Sequence, residues 1–141
     1  MINQKIHNPN VQNTVDSYPE AIQEKLMLVR QLILDIAHEN DMIGTIEETL
    51  KWGQISYLTH KPKSGTTIRI DEYQNDPSSI ALFVHCQTTL IETFQQMYPD
   101  TFDYEGTRAL IINDFNTDTI DILKHFIELA LTYHQRKMYS Q

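Results

Sequence analysis

Two amphipathic helical patterns, one near each end of the chain, enclose a middle section that alternates like β-strands. The first is an apolar stripe at three- and four-residue steps in residues 17–39, which is typical of a helix with one buried face. The second predicts a long final helix that begins at Thr117 and carries its apolar stripe as far as His134. Because each helix buries only one face, both need a common partner, and the strands between them supply it.

The middle section contains four predicted strands, in residues 54–59, 66–71, 80–85 and 107–112. A short helix after Thr89 separates the last two strands and must end before Pro99. Segment 80–85 is apolar on both faces, so we expect it in the centre of the sheet. Segment 46–52 is compatible with either a helical turn or an extended strand.

The order of these elements, α-β-β-β-α-β-α, predicts a single α+β domain with helices packed on a mainly antiparallel sheet of about four or five strands. Residues 1–16 lack periodicity and are predicted to form a flexible N-terminal arm, so the domain is expected to span residues 17–141. Two capping boxes are predicted, one starting at Ser17 and the other at Thr89, because each is followed three residues later by a glutamate.

Charge, cysteine content and hydropathy limit the kinds of partner and the compartment that we expect for this protein. The formal net charge of -8 disfavours nucleic acid, whose binding depends on clustered Lys and Arg. Cys86 is the only cysteine, so no internal disulfide can form and a reducing compartment is favoured. No apolar run reaches the roughly 18 residues of a membrane span, and residues 1–13 lack a signal-peptide core. We therefore expect a cytoplasmic monomer or homodimer with no nucleic-acid or membrane partner.

The densest group of candidate site residues is the run EETLKWGQISY at residues 47–57. It places two carboxylates, Glu47 and Glu48, before Trp52, the only tryptophan of the chain. The carboxylates are candidate metal ligands or partners of an arginine, although a solvated acidic turn gives the same pattern. Trp52 and Tyr57 are predicted to form a wall of a ligand pocket, and burial of Trp52 in the core is the alternative.

Two arginines are predicted to supply positive charge to this pocket. Arg69 lies in mid-strand and points away from its apolar neighbours, so it needs a carboxylate or an anionic ligand if that face is covered. An exposed contact with Asp71 is the alternative. Arg108 precedes the fourth strand, and convergence of the two arginines would form a clamp for carboxylate or phosphate. His85 is predicted to donate a hydrogen bond to the ligand.

Cys86 follows His85 at a predicted helix start, where free amides and the helix dipole lower the pKa of a thiol. An enzyme that uses Cys86 or His85 is therefore an alternative function, although an inert buried cysteine gives the same sequence. Because no known catalytic motif is present, we assign no catalytic residue and expect a protein that is not an enzyme. A protein–protein interaction module that uses the first helix or a sheet edge is a further alternative.

Several segments resemble one bacterial branch of the YdhG-like family, catalogued as domain of unknown function 1801. They are residues 47–57, 65–70, 85–90, 105–109 and 130–134. The chain departs from the family at Ile55, where proline is usual. The resemblance implies an α+β domain and, because some members have been proposed as frataxin-like iron chaperones, iron handling with iron as the cofactor.

The leading hypothesis is a binding domain that holds a small anionic or polar ligand, or labile iron. The predicted ligand-binding residues are Trp52, Tyr57, Arg69, His85 and Arg108. The predicted metal ligands are Glu47 and Glu48, since iron prefers oxygen ligands when it is weakly bound.

Overall fold

The structure is a computed structural model that describes residues 4–139, with side chains as far as Arg136. Its elements in chain order are α1 (Pro9–Asp16), α2 (Glu20–Glu39), β1 (Thr45–Lys51), β2 (Gln54–His60), β3 (Ile68–Tyr73), β4 (Asp76–Phe83), a 3₁₀ turn (Cys86–Thr88), α3 (Leu90–Met97), β5 (Asp103–Glu105), β6 (Ala109–Ile112), α4 (Thr117–Leu131) and α5 (Tyr133–Tyr139). The predicted α+β class is confirmed.

The strands form one six-stranded antiparallel sheet in the order β1-β2-β3-β4-β6-β5. The first four make a meander, and the chain then returns after α3 to place β6 beside β4. The sheet is larger than the predicted four or five strands, because β1 and the three-residue β5 add to the four recognised segments. Strand β4 lies between β3 and β6, as its apolar sequence predicts.

The helices cover one face of this sheet. Alternate residues of four strands enter the same core as the apolar stripes of α1, α2, α3 and α4. These strand residues are Ile55, Tyr57, Ile68, Ile70, Ile80, Leu82, Leu110 and Ile112. The opposite face, which we call the open face, carries Ser56, Arg69 and Phe83 side by side in register on β2, β3 and β4. The same face also carries a small apolar cluster of Ala81, Ala109 and Ile111, against which Tyr73 and Phe83 pack.

The prediction of a flexible arm over residues 1–16 is wrong for the part that the structure describes. Asn8 caps α1, because its side chain accepts two backbone N–H groups at 2.9 and 3.3 Å. Val11 and Val15 lie four residues apart and are buried in the core. Two apolar positions are too few to reveal periodicity, and a helix this short is stabilised mainly by packing. Residues 1–3 lie outside the described range.

Neither predicted capping box forms. Ser17 ends α1, where its hydroxyl donates to the Thr14 carbonyl at 2.6 Å, and Pro19 takes the N-cap position of α2. Thr89 has a left-handed φ of 60°, and its hydroxyl donates to the Thr88 carbonyl at 2.6 Å. Both hydroxyls therefore donate to nearby backbone carbonyls instead of capping a helix. The three-residue spacing of a capping box does not distinguish these two uses of a hydroxyl.

The final helix is shorter than predicted, because the loop between β2 and β3 packs against its end. The backbone N–H of Thr66 donates to the Ala130 carbonyl at 2.9 Å. The N–H of His134 donates to the Ser64 carbonyl, also at 2.9 Å. These bonds occupy backbone groups that a continuous helix would use, so α4 ends and the chain resumes as α5 after Thr132. Within residues 4–139, no helix combines the length and apolar character that crossing a bilayer requires.

Gly65 allows the loop to approach the helix this closely, since a Cβ at that position would lie 2.4–2.5 Å from backbone atoms of Leu131. We expect Gly65→Ala to lower the free energy of unfolding by about 3 kcal/mol, because backbone atoms cannot move aside as a side chain can. Gly106→Ala is the control: its φ is 56° and its Cβ would have no neighbour within 4 Å. It should cost about 1 kcal/mol. Equal losses in urea unfolding would contradict the close approach.

Candidate functional site

A groove of about 540 Å³ brings together the β1–β2 turn, the β2–β3 loop, the open face of β3, the residues after β4 and the start of α5. Five of its lining side chains are basic or can become so: Lys51, Lys63, Arg69, His85 and His134. Among the described residues that line it, none is an aspartate or a glutamate. We call it the basic groove, and its charge is opposite to the net charge of -8 of the whole chain.

Arg69 supplies the half-buried cation of the groove. Its guanidinium carbon lies 5.7 Å from the centre of the Phe83 ring on the neighbouring strand, a cation–π contact. Within residues 4–136, no carboxylate lies within ion-pair distance of Arg69. The alternative partner, Asp71, is engaged elsewhere: it accepts hydrogen bonds from the Tyr18 hydroxyl and, at 3.2 Å, from the Gln54 amide. Arg69 therefore keeps donors that can bind an anion.

His85 is exposed and presents a hydrogen-bond donor to the groove. Its Nδ1 accepts the backbone N–H of Gln87 at 3.2 Å. Because a backbone N–H can only donate, the neutral ring carries its proton on Nε2. That N–H can donate to a ligand in the neutral state, and protonation adds a positive charge.

Trp52 lies at the tip of the β1–β2 hairpin and is 92% exposed, so the alternative of a core tryptophan is wrong. It forms a two-residue turn with Gly53, and both have positive φ, 55° and 76°. This is the pattern of a type I′ hairpin turn, in which asparagine followed by glycine is favoured. A bulky residue with positive φ is a strained choice.

The sequence does not reveal the far wall of the groove. Lys63 comes from the β2–β3 loop, and Tyr133 and His134 come from the start of α5. These side chains meet only because the loop interrupts the final helix, a contact between segments roughly 70 residues apart along the chain. No local periodicity signals such a contact. The one sequence feature that relates to it is the glycine at position 65, which permits the close approach.

Tyr57, predicted as a pocket wall, belongs instead to the helix-side core, where it is 1% exposed. Its hydroxyl donates to Glu48 Oε2 at 2.8 Å. Glu48 also accepts hydrogen bonds from Arg30 Nε at 2.6 Å and from Arg30 Nη2 at 3.2 Å. The third guanidinium nitrogen, Arg30 Nη1, donates to the Gln4 carbonyl at 2.6 Å. Arg30, from α2, is 3% exposed. This cluster satisfies a buried charge pair and fastens β1 to α2.

Glu47 points to the opposite face of β1 from Glu48 and forms an exposed pair with His60 at 2.7 Å. The structure thus separates the two predicted metal ligands. Across the described residues, no group of three or more His, Cys, Asp or Glu side chains is placed to hold a metal ion.

Arg108 lies outside the groove, so the predicted clamp of two arginines does not form. Its carbonyl accepts the Val84 N–H at 3.0 Å, and Val84 belongs to the helix-side core. Residues that pair across strands share a face, so Arg108 lies on the helix side of the sheet while Arg69 lies on the open face. Of the five predicted ligand-binding residues, Trp52, Arg69 and His85 line the groove.

Cys86 is exposed and begins the short 3₁₀ turn rather than helix α3. It does not line the groove. The neighbouring His85 uses Nδ1 to accept the Gln87 N–H, so that nitrogen is not directed to the thiol as a base. Because the Cys86 side chain is exposed, the alternative prediction that this cysteine is buried is wrong.

Comparison of the chain with protein-family models, with curated proteins and with solved structures gave no match in any of the three. The resemblance to the YdhG-like family therefore stays a prediction from sequence segments.

The buried cluster can be tested with two neighbouring glutamates. Glu48→Gln should lower the free energy of unfolding by about 3–5 kcal/mol, because it leaves the Arg30 charge buried without its partner. Glu47→Gln, on the same strand but in an exposed pair, should cost less than about 1 kcal/mol. Replacing both members of the buried pair, as Arg30→Met with Glu48→Leu, should cost less than Glu48→Gln alone. Urea unfolding measures all three; a small loss in Glu48→Gln would show that the pair does not fasten the strand.

Burial and the adjacent Glu48 charge raise the pKa of the Tyr57 hydroxyl well above its ordinary value. The folded state therefore keeps this proton at pH values where the unfolded chain loses it, above about pH 10. Its contribution is complete below that pH and decreases as pH rises toward the folded-state pKa, by up to about 1.4 kcal/mol per pH unit. Tyr57→Phe should make the fall in unfolding free energy between pH 10 and 11 shallower. Parallel curves for the two proteins would contradict this assignment.

Proposed function

We propose that this protein binds a small anionic ligand in the basic groove. The observation that carries the proposal is the set of unneutralised cations there. Lys51, Lys63 and Arg69 line one cavity, and within the described part of the chain none has a carboxylate within ion-pair distance. Cations held together without counter-charges repel one another, and an anion removes that repulsion.

Arg69 is the residue best placed to select the anion. Its guanidinium lies over the Phe83 ring, and strand β3 lies in the interior of the sheet, so its position is defined before a ligand arrives. A guanidinium can donate two parallel hydrogen bonds to one carboxylate or phosphate. Hydrogen bonds to charged groups contribute about 1.5–3 kcal/mol each. His85 adds a donor from the chain that follows β4.

The dimensions favour a small molecule over a macromolecule. A volume of about 540 Å³ falls within the range of small-molecule sites, about 300–1,000 Å³. The acidic exterior, with a net charge of -8, repels an extended polyanion that would have to lie against it. We place this binding in the cytoplasm, because the exposed Cys86 thiol suits a reducing compartment. The proposal takes the chain to be a monomer or a homodimer.

Arg69→Ala provides the direct test, with Arg108→Ala as a control that removes the same charge outside the groove. Inorganic phosphate and citrate serve as probes in calorimetry and NMR titrations. We expect Arg69→Ala to weaken the tighter-binding probe by at least about tenfold, the equivalent of one charged hydrogen bond. Arg108→Ala should change its affinity by less than about twofold, because Arg108 is exposed and does not line the groove, so water and salt screen its charge from the ligand. Equal effects of the two variants, or no binding of either probe by the unaltered protein, would overturn the proposal.

A further inference from the structure

The identity of residue 52 is explained neither by packing nor by turn geometry. Trp52 is 92% exposed, so the core gains almost nothing from its ring. Its φ of 55° disfavours a bulky side chain, and the turn before Gly53 favours asparagine. A strained residue at the rim of a cavity indicates a functional role for its side chain. The ring makes no aromatic contact within the described residues, so its faces are available to stack on a ligand.

The groove also has more room than an anionic group needs. A phosphate or carboxylate occupies on the order of 100 Å³ or less, judged from about 30 Å³ for each water-sized group. The groove measures about 540 Å³, so an anionic group alone would fill only a small part of it and would leave room for a larger ligand. Two of its lining residues, Trp52 and Tyr133, offer aromatic surface to those parts.

We propose that the bound anion carries a flat aromatic ring that stacks on Trp52 while its phosphate or carboxylate binds Arg69. This inference rests on the proposed function and specifies its ligand class. Stacking between a flat ring and an aromatic side chain is tolerant of ring identity, so it selects a class of molecule rather than one compound. Lys51 precedes Trp52 directly in the chain and lines the same cavity, which adds a positive charge at the ring end of the groove.

The test compares anions that differ only in the ring. Adenosine 5′-monophosphate is paired with ribose 5-phosphate, and benzoate is paired with cyclohexanecarboxylate. Calorimetry gives the affinities, and the fluorescence of Trp52, the only tryptophan, reports contact with its ring. We expect the aromatic member of at least one pair to bind at least about fivefold more tightly and to quench the emission. The pair that shows this difference identifies the anionic group as phosphate or carboxylate.

Trp52→Asn is the matched variant, because it removes the ring and creates the asparagine–glycine turn that this backbone favours. It should raise the Tm slightly and reduce the preference for the aromatic member to less than about twofold. If Trp52→Asn is more stable and has also lost the preference for the aromatic member, misfolding cannot be the cause of that loss.

The remaining outcomes separate this inference from the proposed function. If the members of both pairs bind equally and Arg69→Ala weakens all of them, the aromatic class is wrong and anion binding stands. If Trp52→Asn keeps the ring preference, stacking on Trp52 is wrong. If none of the four compounds binds the unaltered protein with a Kd below about 1 mM, the aromatic class is wrong. If phosphate and citrate also fail to bind, anion binding in the groove is wrong as well.

Discussion

The ion pair between Arg30 and Glu48 holds the edge of this fold in place. Strand β1 is an outer strand of the sheet, so it has a partner strand on one side only. Its inward face places a carboxylate between the flanking Ile46 and Leu50, and that carboxylate would oppose packing if it were unpaired. Arg30 of α2 neutralises it with two hydrogen bonds, and the Tyr57 hydroxyl supplies a third. The β1–β2 hairpin, which carries Trp52 to the groove, therefore depends on a charge pair on the opposite face of the sheet.

The same pair explains why the sequence did not predict strand β1. Apolar periodicity predicts helix α2 and strands β2 and β3, and the structure contains all three, with β3 displaced by two residues. Strand β4 overlaps the segment 80–85 that is apolar on both faces, but it begins four residues earlier, at Asp76. Strand β1 alternates as regularly, but its central inward residue is Glu48, so the pattern looks like a polar segment until its partner is known. Helix α1 and strand β5 were missed for another reason: each is too short to show a period, and tertiary packing stabilises both.

Part of the candidate site was predictable because a residue's direction follows from local alternation. Arg69 points to the open face because its neighbours Ile68 and Ile70 are in the core. Alternation also pairs Tyr57 with the core residue Ile55, which places it on the helix side, away from Arg69. The opposite wall depends on the approach of Gly65 to Leu131, and that approach follows from the tertiary fold rather than from any local pattern.

The distribution of charge separates the stability of this protein from its proposed binding. Glu48, the one carboxylate that pairs with a buried arginine in the described structure, lies on the helix side, where it stabilises the fold. In the groove on the open face, Lys51, Lys63 and Arg69 have no carboxylate within ion-pair distance among the described residues, although acidic residues outnumber basic ones by 19 to 11 in the chain. Charges more than about 8–10 Å apart in water are largely screened at physiological salt. In the proposed binding, an anion is therefore repelled weakly by the distant acidic surface and attracted strongly once it contacts Arg69. The proposal implies selectivity for small anions, because a long polyanion would also have to lie against the acidic surface outside the groove.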